Sequence, residues 1–412
     1  MTGRSDRSDR GGACRCSAGS RVGLVRVASL LAGAVMAASC GVFQQDGNFG
    51  WIGASDRPSG GFGPLRVQWI RELADGRQGP YLPLETAGPA VDARTGRVYV
   101  GLTTGEVWAL NRNGRRVFKY RTESSVEAQI AVDADRGELF IATENGIVHA
   151  LDADSQQRKW RADLHEPIRK RPLLLEDALY VAAGGDAVAA LSRISGETLW
   201  AYRRERPDGF AVSGYAALTL ANKRLITGFT DGVVVALDVG DGRVLWQIDT
   251  SIHVEPGAKG MPAFSDVDTT PAVLGQQVFV ASYAAGLYAL NVRTGGIDWR
   301  EPELTGITAL AARPGRLVIA SADRGLVCMD PASRRTLWRR PAHRGPPTSP
   351  VIHRQYLIAG ESRGALRLLA LDDGRELARV ESGTGFSARA AVLGGMAFAV
   401  SNGGTVYAFR MN

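Results

Sequence analysis

One unit recurs along most of this chain, and its period restricts the fold more than any single motif does. An apolar strand leads to a glycine turn. A second apolar strand follows, closing on Ala-Leu, then an Asp or Asn, a turn and a Trp. The copies run "VYVGLTTGEVWALNRNGRRVF", "LFIATENGIVHALDADSQQRKW", "LYVAAGGDAVAALSRISGETLW", "LITGFTDGVVVALDVGDGRVLW", "VFVASYAAGLYALNVRTGGIDW", "LVIASADRGLVCMDPASRRTLW" and "YLIAGESRGALRLLALDDGRELA"; "AFAVSNGGTVYAFRMN" begins an eighth. The turn glycines Gly105, Gly146, Gly232, Gly286, Gly325, Gly364 and Gly404, with Asp186-Ala187 standing in for the third, are mostly 39–46 residues apart. A period near 40 with several short strands per unit is the signature of a β-propeller. The expected fold class is all-β, an eight-bladed propeller with four strands per blade.

The Trp frame supplies the packing logic. Trp160, Trp200, Trp246, Trp299 and Trp338 occupy one position of the repeat, with Phe118 there in the first copy and Ala378 in the seventh. A large aromatic repeated once per blade is expected to dock between blades with its N–H bonded. The eighth copy lacks its Trp, but Trp69 lies in "LRVQWIREL", ahead of the first full repeat. That segment is expected to pair with the C-terminal strands, completing the last blade and removing the free edges. Such a propeller would span residues 65–412.

The residues before it read differently. The chain carries a formal net charge of +7, but residues 1–39 hold six Arg and two Asp, which leaves +3 for the rest. A body so near balance, with interspersed signs, argues against nucleic acid as a partner. In "RVGLVRVASLLAGAVMAASC" (21–40), Arg21 and Arg26 precede an uncharged run from Val27 to Ala38. The run suits a signal-peptide core better than a membrane span. It ends in small residues and Cys40, so residues 1–39 are expected to be a lipoprotein signal peptide and Cys40 the lipidated residue. Several acyl chains on one Cys would anchor stably. Residues 40–64, Gly-rich and aperiodic, read as a flexible tether reaching about 25–30 Å on average. Of the remaining cysteines, Cys14 and Cys16 form no zinc pattern, and Cys328 in "GLVCMD" reads as a small buried hydrophobe.

The "ALDxxTGxxxW" frame resembles the repeat of pyrroloquinoline-quinone-type propellers across residues 65–412. Within that group the chain is similar to the BamB-like lipoproteins of the outer-membrane β-barrel assembly machinery. The blade "SDVDTTPAVLGQQVFVASYAAGLYALNVRTGGIDW" (265–299) looks like that family's "DVDTTP" blade, and the lipobox-like Cys40, the tether and eight blades fit as well. The quinoprotein dehydrogenases of the group carry adjacent cysteines, which this chain lacks. The resemblance implies a non-enzymatic scaffold without a cofactor, docking the periplasmic domains of the β-barrel insertase. Gly41 after the lipidated Cys, by resemblance to sorted lipoproteins of Gram-negative cells, implies the outer membrane, and the family resemblance implies its periplasmic face. It also implies that Asp266, Asp268, Phe210 and Val212 line the docking face, although Ser213 stands where the family has Arg.

Asp266 and Asp268 also need a reading from chemistry. Thr-Thr-Pro after them belongs to the repeat, since Pro89, Pro172, Pro271 and Pro350 all head inner strands, where a missing N–H breaks no ladder bond. The two acids follow the longest interval in the chain, where about residues 249–264 form an added loop. "SDVD" supplies too few oxygens for calcium. The five histidines show no metal-protease spacing, and no nucleophile elbow or phosphate loop appears. Local capping, a docking surface and an acid–base pair are therefore the competing roles. A quinone-dependent dehydrogenase and a lipoprotein with an unrelated partner are the rival functions.

Overall fold

The computed structural model describes residues 64–74, 85–205, 214–254 and 264–412, together with the backbone of strand Ile52–Gly53. The strands assemble into eight separate antiparallel sheets, one per repeat. Blade 1 runs from Ala90–Val91 to Arg116–Arg121, blade 2 from Ala131–Asp133 to Arg158–Asp163, and blade 3 from Leu173–Leu175 to Thr198–Arg203. Blade 4 runs from Thr219–Ala221 to Val244–Asp249, blade 5 from Ala272–Leu274 to Ile297–Glu301, blade 6 from Ile307–Arg313 to Thr336–Arg340, and blade 7 from Val351–His353 to Glu376–Val380. Each has four consecutive strands, the first innermost. Ile52–Gly53, within the expected tether, adds a short edge to blade 7 opposite Arg379 and Val380.

Blade 8 is built from both ends of the propeller sequence. Ala391–Leu393, Met396–Val400 and Thr405–Met411 form its inner three strands, and Leu65–Glu72 is the outermost. The register runs from Leu65 opposite Met411 to Glu72 opposite Thr405. The expected closure by an N-terminal strand is therefore present.

There is no single central core. Eight apolar clusters each lie between two neighbouring blades. Period-two alternation explains this, because successive side chains leave opposite faces of a sheet. In blade 3, Ala189 and Leu191 face blade 2, whereas Val188 and Ala190 face blade 4.

Every outer strand carries the same β-bulge, one residue before the Trp position: Gln68, Val117, Lys159, Leu199, Leu245, Asp298, Leu337 and Leu377 drop out of register. A bulge re-aims the residue beside it. Here it leaves the indole opposite the Ala of Ala-Leu in its own blade, as Trp160 is opposite Ala150. The indole then reaches the next blade. Its Nε1 donates to a turn carbonyl there: Trp160 to Arg193 (2.7 Å), Trp200 to Val239 (3.2 Å), Trp246 to Val292 (2.9 Å) and Trp338 to Leu371 (2.8 Å). Trp69 of blade 8 donates to Arg112 of blade 1 at 2.8 Å, so the same bond seals the ring.

Each of these five rings lies on a turn glycine of positive φ: Gly196, Gly242, Gly295, Gly374 and, for Trp69, Gly114. A Cβ on any of them would come within 2.4–2.7 Å of an indole carbon. Where the turn carries another residue, the docking changes. Blade 2 has Gln156 (φ 63°) and blade 6 has Arg334 (φ 60°) at that place. The residues facing them are Phe118, which needs no bond, and Trp299, which makes no such bond among the described residues.

Candidate functional site

Four antiparallel strands return the chain to the side it started from. The loops entering the inner strands and the central hairpin turns therefore share one face, around the mouth of the channel. Asp266 and Asp268 lie on this face, ahead of blade 5.

The residue between them explains their spacing. Val267 is fully buried, and its amide donates to Phe229 O of blade 4 at 3.0 Å. A Cβ on Gly228 would lie 2.1 Å from the Val267 methyl, so glycine there permits the close approach. Val126, Ile168 and Phe386 make the equivalent amide bond at three other blade junctions. "DVD" is thus a repeat position occupied by a plug, with an acid on either side.

The two acids have different fates. The position of Asp266 is held elsewhere by Ser125, Pro167 and Gly385, whose carbonyls all accept from the following hairpin turn; Asp266 O accepts from Tyr283 N at 2.9 Å. Its side chain is only 1% exposed. The position of Asp268 is held elsewhere by Glu127, Arg169 and Ser387, which ring the channel mouth. Asp268 is half-buried there. Lys170 Nζ donates to its carbonyl oxygen at 3.3 Å, and the Asp268 charge acts on that ammonium. Of the two acids, Asp268 is the one that reaches solvent.

Several mouth residues give no sequence signal. Arg169 pairs with Glu127 (3.3 Å) and Glu144 (2.7 Å). Its amide donates to Tyr215 Oη, which donates in turn to Pro167 O, both at 2.9 Å. Burial pushes the Tyr215 phenol up to about 12, so it stays a neutral donor linking the approaches to blades 3 and 4. The start of the added loop is held by Tyr288 Oη against His253 Nδ1 at 3.1 Å, with Arg300 over the Tyr288 ring and bonded to Ala285 O and His253 O. Tyr288 occupies an ordinary strand position, so only the fold reveals this role.

Phe210, Val212, Ser213 and Cys40 lie outside the described residues. Among the described residues no three His, Cys, Asp or Glu side chains gather as a metal site requires. Cys328 is buried, as expected, and burial pushes its thiol up to about 11.

The family described as outer membrane protein assembly factor BamB matches residues 103–340, more than half of the chain. The chain belongs to the BamB family. A BamB relative from Yersinia pestis, named outer membrane protein assembly factor BamB, is 27% identical over 398 residues, covering 94% of this chain and 98% of its own. The crystal structure of BamB from Moraxella catarrhalis superposes with a TM-score of 0.70 at 22% identity, covering 84% of this chain and 99% of that one. Quinohemoprotein alcohol dehydrogenase from Comamonas testosteroni gives 0.65 at 14% identity, covering 84% and 76%. That likeness is one of fold alone. Blades 1 to 6 of this BamB-family propeller include the stretch matched by the family, and with it the Asp268 face.

Proposed function

We propose that this chain is a non-enzymatic scaffold of outer-membrane β-barrel assembly, docking the periplasmic domains of the insertase through its channel-mouth face. Family membership over most of the propeller is the observation that carries this reading. The geometry of the mouth supports different roles for the residues within it. Asp268 offers a half-exposed carboxylate to a basic or N–H-rich surface. Asp266 acts from beneath, by shaping the loop. Phe210 and Val212, in the segment leading to blade 4, complete the docking face by family resemblance. Cys40 carries the lipid, holding the chain at the periplasmic face of the outer membrane.

Capture of the purified insertase by Asp268→Asn, Asp266→Asn and the parent chain tests the docking site. Asp268→Asn loses capture at an unchanged melting temperature, whereas Asp266→Asn loses stability as well. Undiminished capture by Asp268→Asn rejects the site. Cys40→Ser is expected to release the protein from membranes, and retention would reject the anchor. Dye-linked turnover after reconstitution with a quinone cofactor would reject the non-enzymatic reading.

A further inference from the structure

On the face opposite the mouth, the turn between the two inner strands of one blade meets the outer turn of the next. The residue at the entry to the second strand is charged in four blades: Arg97, Glu138, Arg224 and Arg316. Each stands just before the core residue that lies opposite the closing Leu or Met of the third strand. Three of the four meet an opposite charge on the next blade. Arg97 pairs with Asp154 at 2.6 Å, Arg316 with Asp372 at 3.3 Å, and Glu138 with Arg193 at 2.6 Å. Asp154 and Asp372 hold the same place in their blades, three residues after Leu151 and Leu369. In blade 5 that place, three residues after Leu290, belongs to Arg293. Arg224 of blade 4 therefore meets an arginine where Arg97 and Arg316 meet an aspartate.

The junction is open at this point. A cleft of about 530 Å³ is lined by Asn222 and Arg224 of blade 4 and by Gln276, Asn291 and Arg293 of blade 5. Its lining contains neither an acid nor an apolar side chain. Arg224 is half-buried, and its Nη1 donates to Asn222 O at 2.9 Å. Its buried Nε has no hydrogen-bond partner among the described residues. Asp238 stands opposite Arg224 in the strand ladder, but its carboxylate accepts from Gly240 N at 2.8 Å. Across the cleft, Asn291 Oδ1 accepts from the amides of Arg293 (3.0 Å) and Thr294 (3.2 Å), which fixes the turn that carries Arg293. Neither Arg224 nor Arg293 belongs to an ion pair among the described residues.

Arginine does not shed its proton, so titration does not relieve two guanidinium groups on one cleft. The equivalent junctions show what the position accepts, which is a carboxylate against the guanidinium. A guanidinium presents parallel N–H donors that match the two oxygens of that group. A carboxylate entering the cleft takes the place of Asp154 or Asp372 against Arg224 and satisfies the orphaned Nε. Arg293 supplies a second donor fork, and the side-chain amides of Asn222, Gln276 and Asn291 offer further hydrogen bonds. The cleft has the size of a small-ligand site, but its wholly polar lining selects a charged group over an apolar one.

We propose that the cleft between blades 4 and 5 binds a carboxylate-bearing ligand through Arg224 and Arg293, on the face away from the docking mouth. The carboxylate belongs either to a free small acid or to an acidic side chain of another protein. Titration calorimetry of the full chain at low ionic strength, with succinate and separately with a capped tetra-aspartate peptide, distinguishes the sources. Heat with succinate assigns a free acid, and heat with the peptide alone assigns an acidic protein segment; heat with neither overturns the proposal. Arg224→Gln weakens binding by about tenfold or more, the loss of a charge-assisted fork. Arg243→Gln, on the outer turn of blade 4, removes the same charge outside the cleft and leaves binding unchanged. Arg293→Asp is the decisive variant. It gives blade 5 the residue type that blades 2 and 7 carry at this place, so the chain supplies its own carboxylate to Arg224. Binding is abolished, and the protein melts no lower than the parent. Undiminished binding by Arg293→Asp overturns the proposal. A lower melting temperature for that variant would show that the two positions do not meet as their counterparts do, and would overturn it as well.

Discussion

Gly295→Ala isolates the contact that joins one blade to the next. Gly295 has φ +73°, and a Cβ there would lie 2.7 Å from two carbons of the Trp246 indole. The left-handed conformation alone costs an L-residue about 1–2 kcal/mol. The indole must also retreat, which adds overpacking strain of about 1–3 kcal/mol. Retreat further weakens the 2.9 Å bond to Val292 O, worth about 1 kcal/mol net. The whole substitution is expected to cost about 3–5 kcal/mol from these sources. Gly275→Ala is the control in the same blade. It has φ +61° with nothing within 4 Å of its would-be Cβ, so it bears the conformational cost of about 1–2 kcal/mol alone. Urea unfolding compares the two midpoints at unchanged slope. In a Trp246→Phe background the smaller ring gives space, and the Gly295→Ala cost falls towards that of the control. Equal costs for Gly295→Ala and Gly275→Ala in the parent would refute the docking argument.

Deleting residues 65–74 removes the outer strand of blade 8, so the melting temperature falls sharply; an unchanged value would reject closure by the N-terminal strand. Trp69→Ala alone, at a half-buried indole, costs less in the same assay than the about 3–5 kcal/mol of a fully buried Trp truncation. Asp133 and Glu138 share Arg193 of the next blade, and Lys159 also pairs with Glu138 at 2.7 Å. Partial burial raises both carboxyls, but the cations and the amides beside Asp133 outweigh it and leave both pKa values below the ordinary range. Depressed acids stabilise the fold above the unfolded pKa of about 4 and lose that contribution as pH falls through the lower native values. Arg193→Met is therefore expected to flatten the acid limb of a stability–pH profile below about pH 4, and an unaltered limb would contradict the assignment. Cys328, buried with its thiol near 11, should resist a thiol reagent at pH 8 until the protein unfolds; prompt native labelling would show that its junction opens.

The period carried the architecture because each repeat must bury both faces against neighbours, and the Trp frame marks where. The missing eighth Trp led to Trp69 for the same reason. The site was legible only in part. "DVD" stands out as sequence, but its acids read as an addition to the repeat. In the fold Asp266 and Asp268 occupy repeat positions on either side of the Val267 plug, one turned in and one out. Nothing in the local pattern separates them, because burial depends on the blade alongside.

The seam in blade 8 also sets a time order on folding. Leu65 belongs to the first propeller strand to be made, and its partner Met411 is the next-to-last residue of the chain. Blades 1 to 7 can form one after another from local hairpins. The first strand meanwhile has no partner and waits through the production of the rest. Contacts of such sequence separation are slow to form, and unpaired strand edges are what chains aggregate through. The waiting period is this protein's window of exposure, and it closes only when the final strand arrives.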